Sequence, residues 1–344
     1  LTETPYTHIM LIAVFPALLY FLSVFCMIHF EAKKHQIEGY LDEEMPHWTV
    51  VLRREWYFSL PLVIITVLMV LGRSPGFSAF WATLSCIAVS WVRRETRMGP
   101  REIWQAIQTG ARNTLIIGAT LGVIGIIVGT ISLTGIGLKF SDIIISLAGG
   151  HLLPAVLLVA LASLVLGMGV PVTAAYLITA VLAVPPLTEM GVALLGAHMI
   201  VYWFSQDSNI TPPVCVAAYA GAAIAGADPW KTGWTSFKFA KLLYVMPLLF
   251  AFTPAILLEG EPLAIFSSMF SAFLGTMAFS ALTMVFFIRK TNLGEWLTLA
   301  LATVLLYWPG FITDGVGLAL VAGIYLSQRY RSGDRPLPRA HDTR

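Results

Sequence analysis

The sequence predicts an all-α polytopic membrane protein, and three observations carry that prediction. Only 12% of the 344 residues are charged and 57% are hydrophobic, whereas soluble domains carry about a quarter charged residues. The mean hydropathy is +0.79. Apolar runs of roughly the 20 residues that a spanning helix needs recur along the chain. The net charge of +2 gives no reason to expect a nucleic-acid partner. The expected surrounding is the lipid bilayer.

Taken in order, membrane segments are expected at about 8–30, 57–72, 76–92, 114–138, 152–184, 192–227, 242–258, 263–288, 294–308 and 311–327. Cys26, Cys86 and Cys215 all lie in apolar runs, with no pairing or metal-type spacing, and read as small buried side chains. No signal peptide is expected. The chain begins with Leu1 and enters its first helix almost at once, which reads as a processed product or a portion of a longer protein.

The connections are charged unequally. Arg93, Arg94, Arg97, Arg101 and Arg112 follow the third segment, and Lys231, Lys238 and Lys241 precede the seventh. Arg289 and Lys290 separate the eighth and ninth, and Arg329, Arg331, Arg335, Arg339 and Arg344 lie at the end. The alternate connections hold Arg73, Lys139, Glu259 with Glu261, and Pro309-Gly310. A cytoplasmic C-terminus places every basic cluster inside, as the positive-inside rule requires.

That layout needs an even number of crossings between Arg112 and Lys231. Segment 114–138 supplies one, so the two irregular segments 152–184 and 192–227 must supply one net crossing between them. The arms 152–166 and 174–184 would each be about 16–22 Å long, short of a roughly 30 Å hydrocarbon core. They suit a re-entrant hairpin with GMGVPVT (167–173) at its tip. Residues 192–207 and 214–227 then form two halves of a crossing helix unwound at SNITPP; the reverse assignment stays open. Loop 31–56 reads as a solvated cytoplasmic connection, 99–114 as an interfacial helix on the inner leaflet, and the tail after Ser327 as disordered.

Irregular backbone at membrane depth survives only inside protein or beside water. Pro171, Pro212 and Pro213 cannot donate backbone hydrogen bonds, and Gly167 and Gly169 permit a tight tip. Freed carbonyls, the hydroxyls of Thr173, Ser208 and Thr211, and the Asn209 amide offer hard oxygen ligands of low formal charge. That set suits Na⁺ better than a dehydrated divalent ion. Half-helix N-termini at Val172–Ala175 and Val214–Val216 would present positive dipole ends to an anionic substrate. Short Gly/Pro-interrupted segments meeting at midplane point to a secondary transporter's binding site.

The candidate site is therefore Gly167, Met168, Gly169, Pro171 and Thr173 at the hairpin tip with Asp207, Ser208, Asn209, Thr211 and Pro212 at the break. Na⁺ is placed among Gly167, Thr173, Ser208 and Asn209. No organic cofactor is expected; Na⁺ is the coupling ion, with H⁺ as the alternative. Asp207 reads as cation ligand, proton carrier or lining of a water-filled vestibule, since an ionisable group inside a membrane segment is functional by default. His8, His151 and His198 read as interfacial, Tyr202, Trp203 and Phe204 as packing, and Asp314 as interfacial. A competing class is an intramembrane enzyme using Asp142 and Asp207 as a carboxylate pair. A third is a non-transporting subunit or channel.

The stretches GMGVPVTAAYLITAVLAVPPL (167–187), SNITPPVCVAAYAGAAIAGADPWKTGW (208–234) and VMPLLFAFTPAILL (245–258) resemble the large membrane subunit of tripartite ATP-independent periplasmic (TRAP) transporters, in the branch served by TAXI-type binding proteins. The resemblance covers roughly residues 1–260. It implies an ion-transporter-like fold of two inverted repeats, each with a hairpin and a broken helix. It also implies cation-coupled uptake of an organic acid by an elevator-like movement, with a soluble periplasmic protein delivering the substrate. A single hairpin-and-break pair is visible where the family has two, so the expectation is the second repeat only, partnered by a small membrane subunit or an N-terminal half. The expected divisions are 1–56 (last helix of the first repeat and a connection), 57–258 (second repeat), 259–327 (a three-helix C-terminal extension) and 328–344 (tail). The expected location is the bacterial inner membrane.

Overall fold

A computed structural model describes residues 2–37, 47–308 and 310–332. Among these every named element is helical. In chain order they are α1 (Tyr6–His35), α2 (Trp48–Glu55), α3 (Leu60–Val70), α4 (Pro75–Ser90), α5 (Pro100–Thr134), α6 (Ile136–Leu147), α7 (Leu152–Gly167) and α8 (Val172–Glu189). They continue with α9 (Leu194–Asp207), α10 (Val216–Ala225), α11 (Pro229–Phe239), α12 (Lys241–Phe252), α13 (Pro262–Met284), α14 (Leu293–Tyr307) and α15 (Phe311–Ser332). Among the described residues six helical stretches are long and apolar enough to cross a bilayer: Tyr6–His35, Pro100–Thr134, Val172–Glu189, Pro229–Phe252, Pro262–Met284 and Phe311–Arg331. The protein is an all-α, multi-pass membrane protein.

The chain divides into two units, one of Glu3–Leu11 and Glu38–Gly125, the other of Ile12–Ile37 and Ile126–Arg344. In the first, α3 and α4 pack against each other. Pro75 opens α4, where the Ser74 hydroxyl accepts a hydrogen bond from the Phe77 N–H at 3.3 Å. The turn before it uses Gly72 at φ +78°. Many large apolar side chains of α3, α4 and α5 are exposed, among them Leu62, Val70, Phe80 and Leu115. A lipid-facing helix needs such a surface, because the bilayer core is its solvent.

The second unit holds both cores. The larger packs residues from Ile12 to Leu19 of α1 with α6, α7, α8, α9 and α12. The smaller joins Cys26, Met27 and Phe30 of α1 to α13, α14 and α15. Small side chains mark the close approaches. Ser23 of α1 meets Ser280 of α13 at 3.4 Å, and a Cβ on Gly275 would lie 2.9 Å from the Tyr307 ring. Short-range capping fixes the helix starts. The Asp228 carboxylate accepts from the Lys231 N–H at 2.7 Å, and Asn292 with Glu295 forms a reciprocal capping box at the start of α14, each satisfying donors the helix cannot.

Several sequence expectations need correction. The stretch 99–114 is not a separate interfacial helix; from Pro100 on it is the beginning of the 35-residue α5, which passes through the isolated Gly110 because one glycine costs a helix only about 1 kcal/mol. Loop 31–56 is partly helical, with α1 running to His35 and α2 covering Trp48–Glu55; residues 38–46 lie outside those described. The second arm of the hairpin continues through Pro185 and Pro186 to Glu189. At 18 residues and about 27 Å it is long enough that length alone no longer marks it as a half-span. Residues 229–239, expected as a connection, form α11. Helix α15 runs on to Ser332, past the expected start of the tail, whose residues 333–344 lie outside those described. Cys26 and Cys215 are buried as expected, but Cys86 is exposed.

Candidate functional site at the hairpin tip and the helix break

Helices α7 and α8 are joined by a four-residue turn, Met168 to Pro171. Gly169 takes a left-handed conformation at φ +74°, which only glycine adopts without cost. The Val170 N–H bonds back to the Gly167 carbonyl at 3.4 Å, and Pro171 caps α8 without needing a partner for its nitrogen. Helix α9 ends at Asp207 and α10 begins at Val216. At about 21 Å and 15 Å, for 14 and 10 residues, neither half spans a roughly 30 Å core.

The eight residues between them are tightly organised. The N–H groups of Asn209, Ile210, Cys215 and Ala217 donate to the carbonyls of Gln206, Asp207, Thr211 and Asn209, at 3.1, 3.2, 3.2 and 3.3 Å. The Pro212–Pro213 peptide bond is cis, and the Tyr219 hydroxyl donates to the Pro213 carbonyl at 2.5 Å. This corrects one expectation. Fewer carbonyls are free than two prolines suggest, because local turns have already engaged them.

Three neighbours hold the break in place. The hairpin touches it where a Cβ on Gly167 would lie 2.8 Å from Ser208 Oγ and 3.5 Å from the Ala175 Cβ. Gly167, the start of α8 and Ser208 thus converge. From the other side, a Cβ on Gly233 of α11 would lie 2.8 Å from Cys215 Sγ and 3.5 Å from the Pro212 ring. From α12, the Tyr244 hydroxyl bonds the Thr211 hydroxyl, which also donates to the Asp207 carbonyl. Behind the break, Tyr176 of α8 and His198 of α9 share a hydrogen bond at 2.9 Å, and Trp203 meets Phe250 edge-on at 5.3 Å.

The polar atoms that remain without protein partners decide what this place can do. Ser208 is 3% exposed and its hydroxyl donates to the Ser205 carbonyl at 3.2 Å, leaving its oxygen free to accept or to ligate. Asp207 is fully buried, and neither carboxylate oxygen has a hydrogen-bond partner among the described residues. It sits at the C-terminal end of α9, where the helix dipole is negative. An ionised carboxylate there is costly unless a positive charge compensates it. Tyr244 is tied to the same segment through the Thr211 hydroxyl. The amide nitrogens of Gln206 and Asn209 and the Ser163 hydroxyl are also buried without partners. Orphaned donors call for an acceptor oxygen, and orphaned carboxylate oxygens call for a donor, a proton or a cation.

Gly167 and Ser208 are therefore brought together, with Asp207, Asn209, Thr211 and Pro212 in the same folded segment. Met168, Gly169, Pro171 and Thr173 are exposed on the tip, and none of them touches the break through a hydrogen bond. Ser163 and Tyr244 are site residues that no sequence motif pointed to. For Ser163 the spacing alone was a signal, since it lies one helical turn before Gly167 and so on the same face. His198, in the first turns of α9, is 7% exposed and shares a hydrogen bond with Tyr176. Asp142 lies exposed in the middle of α6, so it does not share the buried environment of Asp207.

The family model described as "Tripartite ATP-independent periplasmic transporter, DctM component" matches residues 1–256. The chain belongs to that family. No curated protein and no solved structure matches it significantly. The matched region contains the hairpin, the break and Tyr244, and it stops before α13. The DctM-type part therefore carries the whole candidate site, and the bundle of α13, α14 and α15 lies beyond it.

Proposed function

We propose that this DctM-family chain is the permease of a cation-coupled uptake system for an organic acid in the bacterial inner membrane. A periplasmic binding protein of the TAXI type delivers the acid, and a small membrane subunit or a further permease half completes the assembly. The orphaned donors of Asn209 and Gln206 recognise a carboxylate. The Asp207 carboxylate and the Ser208 oxygen, beside Gly167, take the coupling cation. Na⁺ suits the neutral oxygens around Ser208, Thr173 and Gly167, and a proton on Asp207 is the alternative. The region α7–α10 moves against the longer helices as an elevator, and the C-terminus is cytoplasmic.

The observation that carries this reading is a fully buried, unpartnered Asp207 next to a Gly167–Ser208 contact. A buried carboxylate with two unpartnered oxygens is a place where a proton, a water or a cation must enter. The test is uptake by the assembled transporter in proteoliposomes. Asn209→Ala and Thr173→Ala should each abolish cation-dependent uptake while membrane insertion stays normal. Unchanged uptake with unchanged cation dependence sinks the assignment.

A further inference from the structure

Where α12 gives way to α13, and near the start of α15, the chain forms an open cleft with a volume of about 340 Å³. Its walls include Phe252, Thr253, Glu259, Ser267, Ser268 and Phe311. It lies at the seam between the family-matched region and the bundle beyond it, away from the hairpin tip in sequence and in its lining residues.

The local structure explains why the cavity exists. Helix α12 ends at Phe252, and a 3-10 turn over Pro254–Leu257 reverses the chain. Leu258 then takes φ +62°, and the Glu259 N–H bonds back to the Pro254 carbonyl at 3.3 Å. This corner holds Glu259 over the first turns of α13. Phe252 stacks on Trp308 with ring centroids 6.4 Å apart, which fixes one aromatic wall, and Phe311 provides another.

The chemistry of the lining is specific. Glu259 is half-buried and forms no salt bridge among the described residues. Thr253 and Ser268 are buried hydroxyl residues, at 6% and 5% exposure. One carboxylate with a few hydroxyls is too sparse a set of hard oxygens for a divalent metal. An uncompensated carboxylate beside aromatic faces suits an organic ammonium ion, which gains both the charge pair and the ring quadrupole. A volume of this size is at the small end of ligand sites.

We propose that this cavity binds an ammonium group, carried either by a zwitterionic phospholipid headgroup or by a free water-soluble amine. Glu259 supplies the counter-charge, Phe252 and Phe311 supply the aromatic faces, and the hydroxyls of Ser267 and Ser268 orient the ligand.

The test uses the full chain and has two arms. In lipid-free detergent, radiolabelled choline is titrated onto wild type, Glu259→Gln and Phe311→Leu. Saturable binding that weakens roughly tenfold in Glu259→Gln, and about threefold in Phe311→Leu, assigns the site to free amines. In nanodiscs of phosphatidylcholine against phosphatidylglycerol, a higher melting temperature in phosphatidylcholine that disappears in Glu259→Gln assigns it to lipid. If Glu259→Gln equals wild type in both arms, the proposal is overturned. Glu259→Gln is nearly isosteric on a half-buried corner, so folding should survive, and melting in phosphatidylglycerol checks that it does.

Discussion

Gly167 and Ser208 lie so close that a Cβ added to Gly167 would stand 2.8 Å from the Ser208 hydroxyl oxygen. The contact joins the end of α7 to the first residue after α9, so hairpin tip and helix break form one place. Gly167→Ala must push one of them away. A loss of roughly 1–3 kcal/mol of stability is expected from such overpacking, together with loss of uptake. Ser208→Gly should restore part of the stability in the double variant, and unfolding in detergent through a double-mutant cycle measures that coupling. Independent effects would mean that the contact is incidental.

Gly233 plays the matching part on α11. Its would-be Cβ meets Cys215 Sγ at 2.8 Å, so Gly233→Ala should lower the melting temperature by several degrees. Cys215→Ala removes the sulfur and should return most of the loss. A melting curve that does not respond to Gly233→Ala contradicts this packing.

Tyr244→Phe deletes only the hydroxyl that bonds Thr211. A single hydrogen bond contributes about 1 kcal/mol to stability, so the folded protein should survive. If the bond positions the break, uptake should fall at least tenfold with expression unchanged. Wild-type uptake in Tyr244→Phe would reduce the bond to a packing detail.

The terminal bundle has its own lock. Gln328 is fully buried. Its side-chain oxygen accepts from the N–H groups of Ile288 and Arg289 at 3.0 and 3.2 Å, and its nitrogen donates to Glu295 at 2.9 Å. Gln328→Ala leaves two backbone donors of the α13–α14 turn unpaired. It should cost about 2 kcal/mol, seen as a lower melting temperature of the whole chain.

The charged link between α1 and α11 should matter less. Lys238 Nζ lies 2.9 Å from both oxygens of Glu31, with side chains 31% and 24% exposed. Partial solvation screens it, so Lys238→Gln should cost no more than about 1 kcal/mol, and the loss should shrink in high salt. A large, salt-independent loss would show that the pair is shielded from solvent.

Much of this arrangement is legible in the sequence for simple reasons. The apolar runs announce the helices because lipid tolerates little else, and Gly-Met-Gly-Val-Pro and Ser-Asn-Ile-Thr-Pro-Pro announce the two interruptions because glycine and proline cannot continue a helix cheaply. Length is less legible. The hairpin's second arm was expected to stop at residue 184, yet the helix accommodates Pro185 and Pro186 and reaches Glu189. Lys231, Lys238 and Lys241 suggested a solvated connection, yet Asp228 caps a helix there. What no local pattern reveals is which distant side chains meet. Tyr244 reaches Thr211 across 33 positions, and His198, which sits near a helix end, is buried and bonded to Tyr176 of the neighbouring helix.

The central claim is that the break holds a coupling cation beside Asp207. The most direct test is uptake by the assembled transporter in proteoliposomes, measured against external Na⁺ and separately against an imposed pH gradient, for wild type and Asp207→Asn. The account predicts that wild-type uptake follows one of these cations. Asp207→Asn should insert normally and lose that dependence along with concentrative uptake. Uptake by Asp207→Asn with the wild-type rate and the wild-type cation dependence would contradict it.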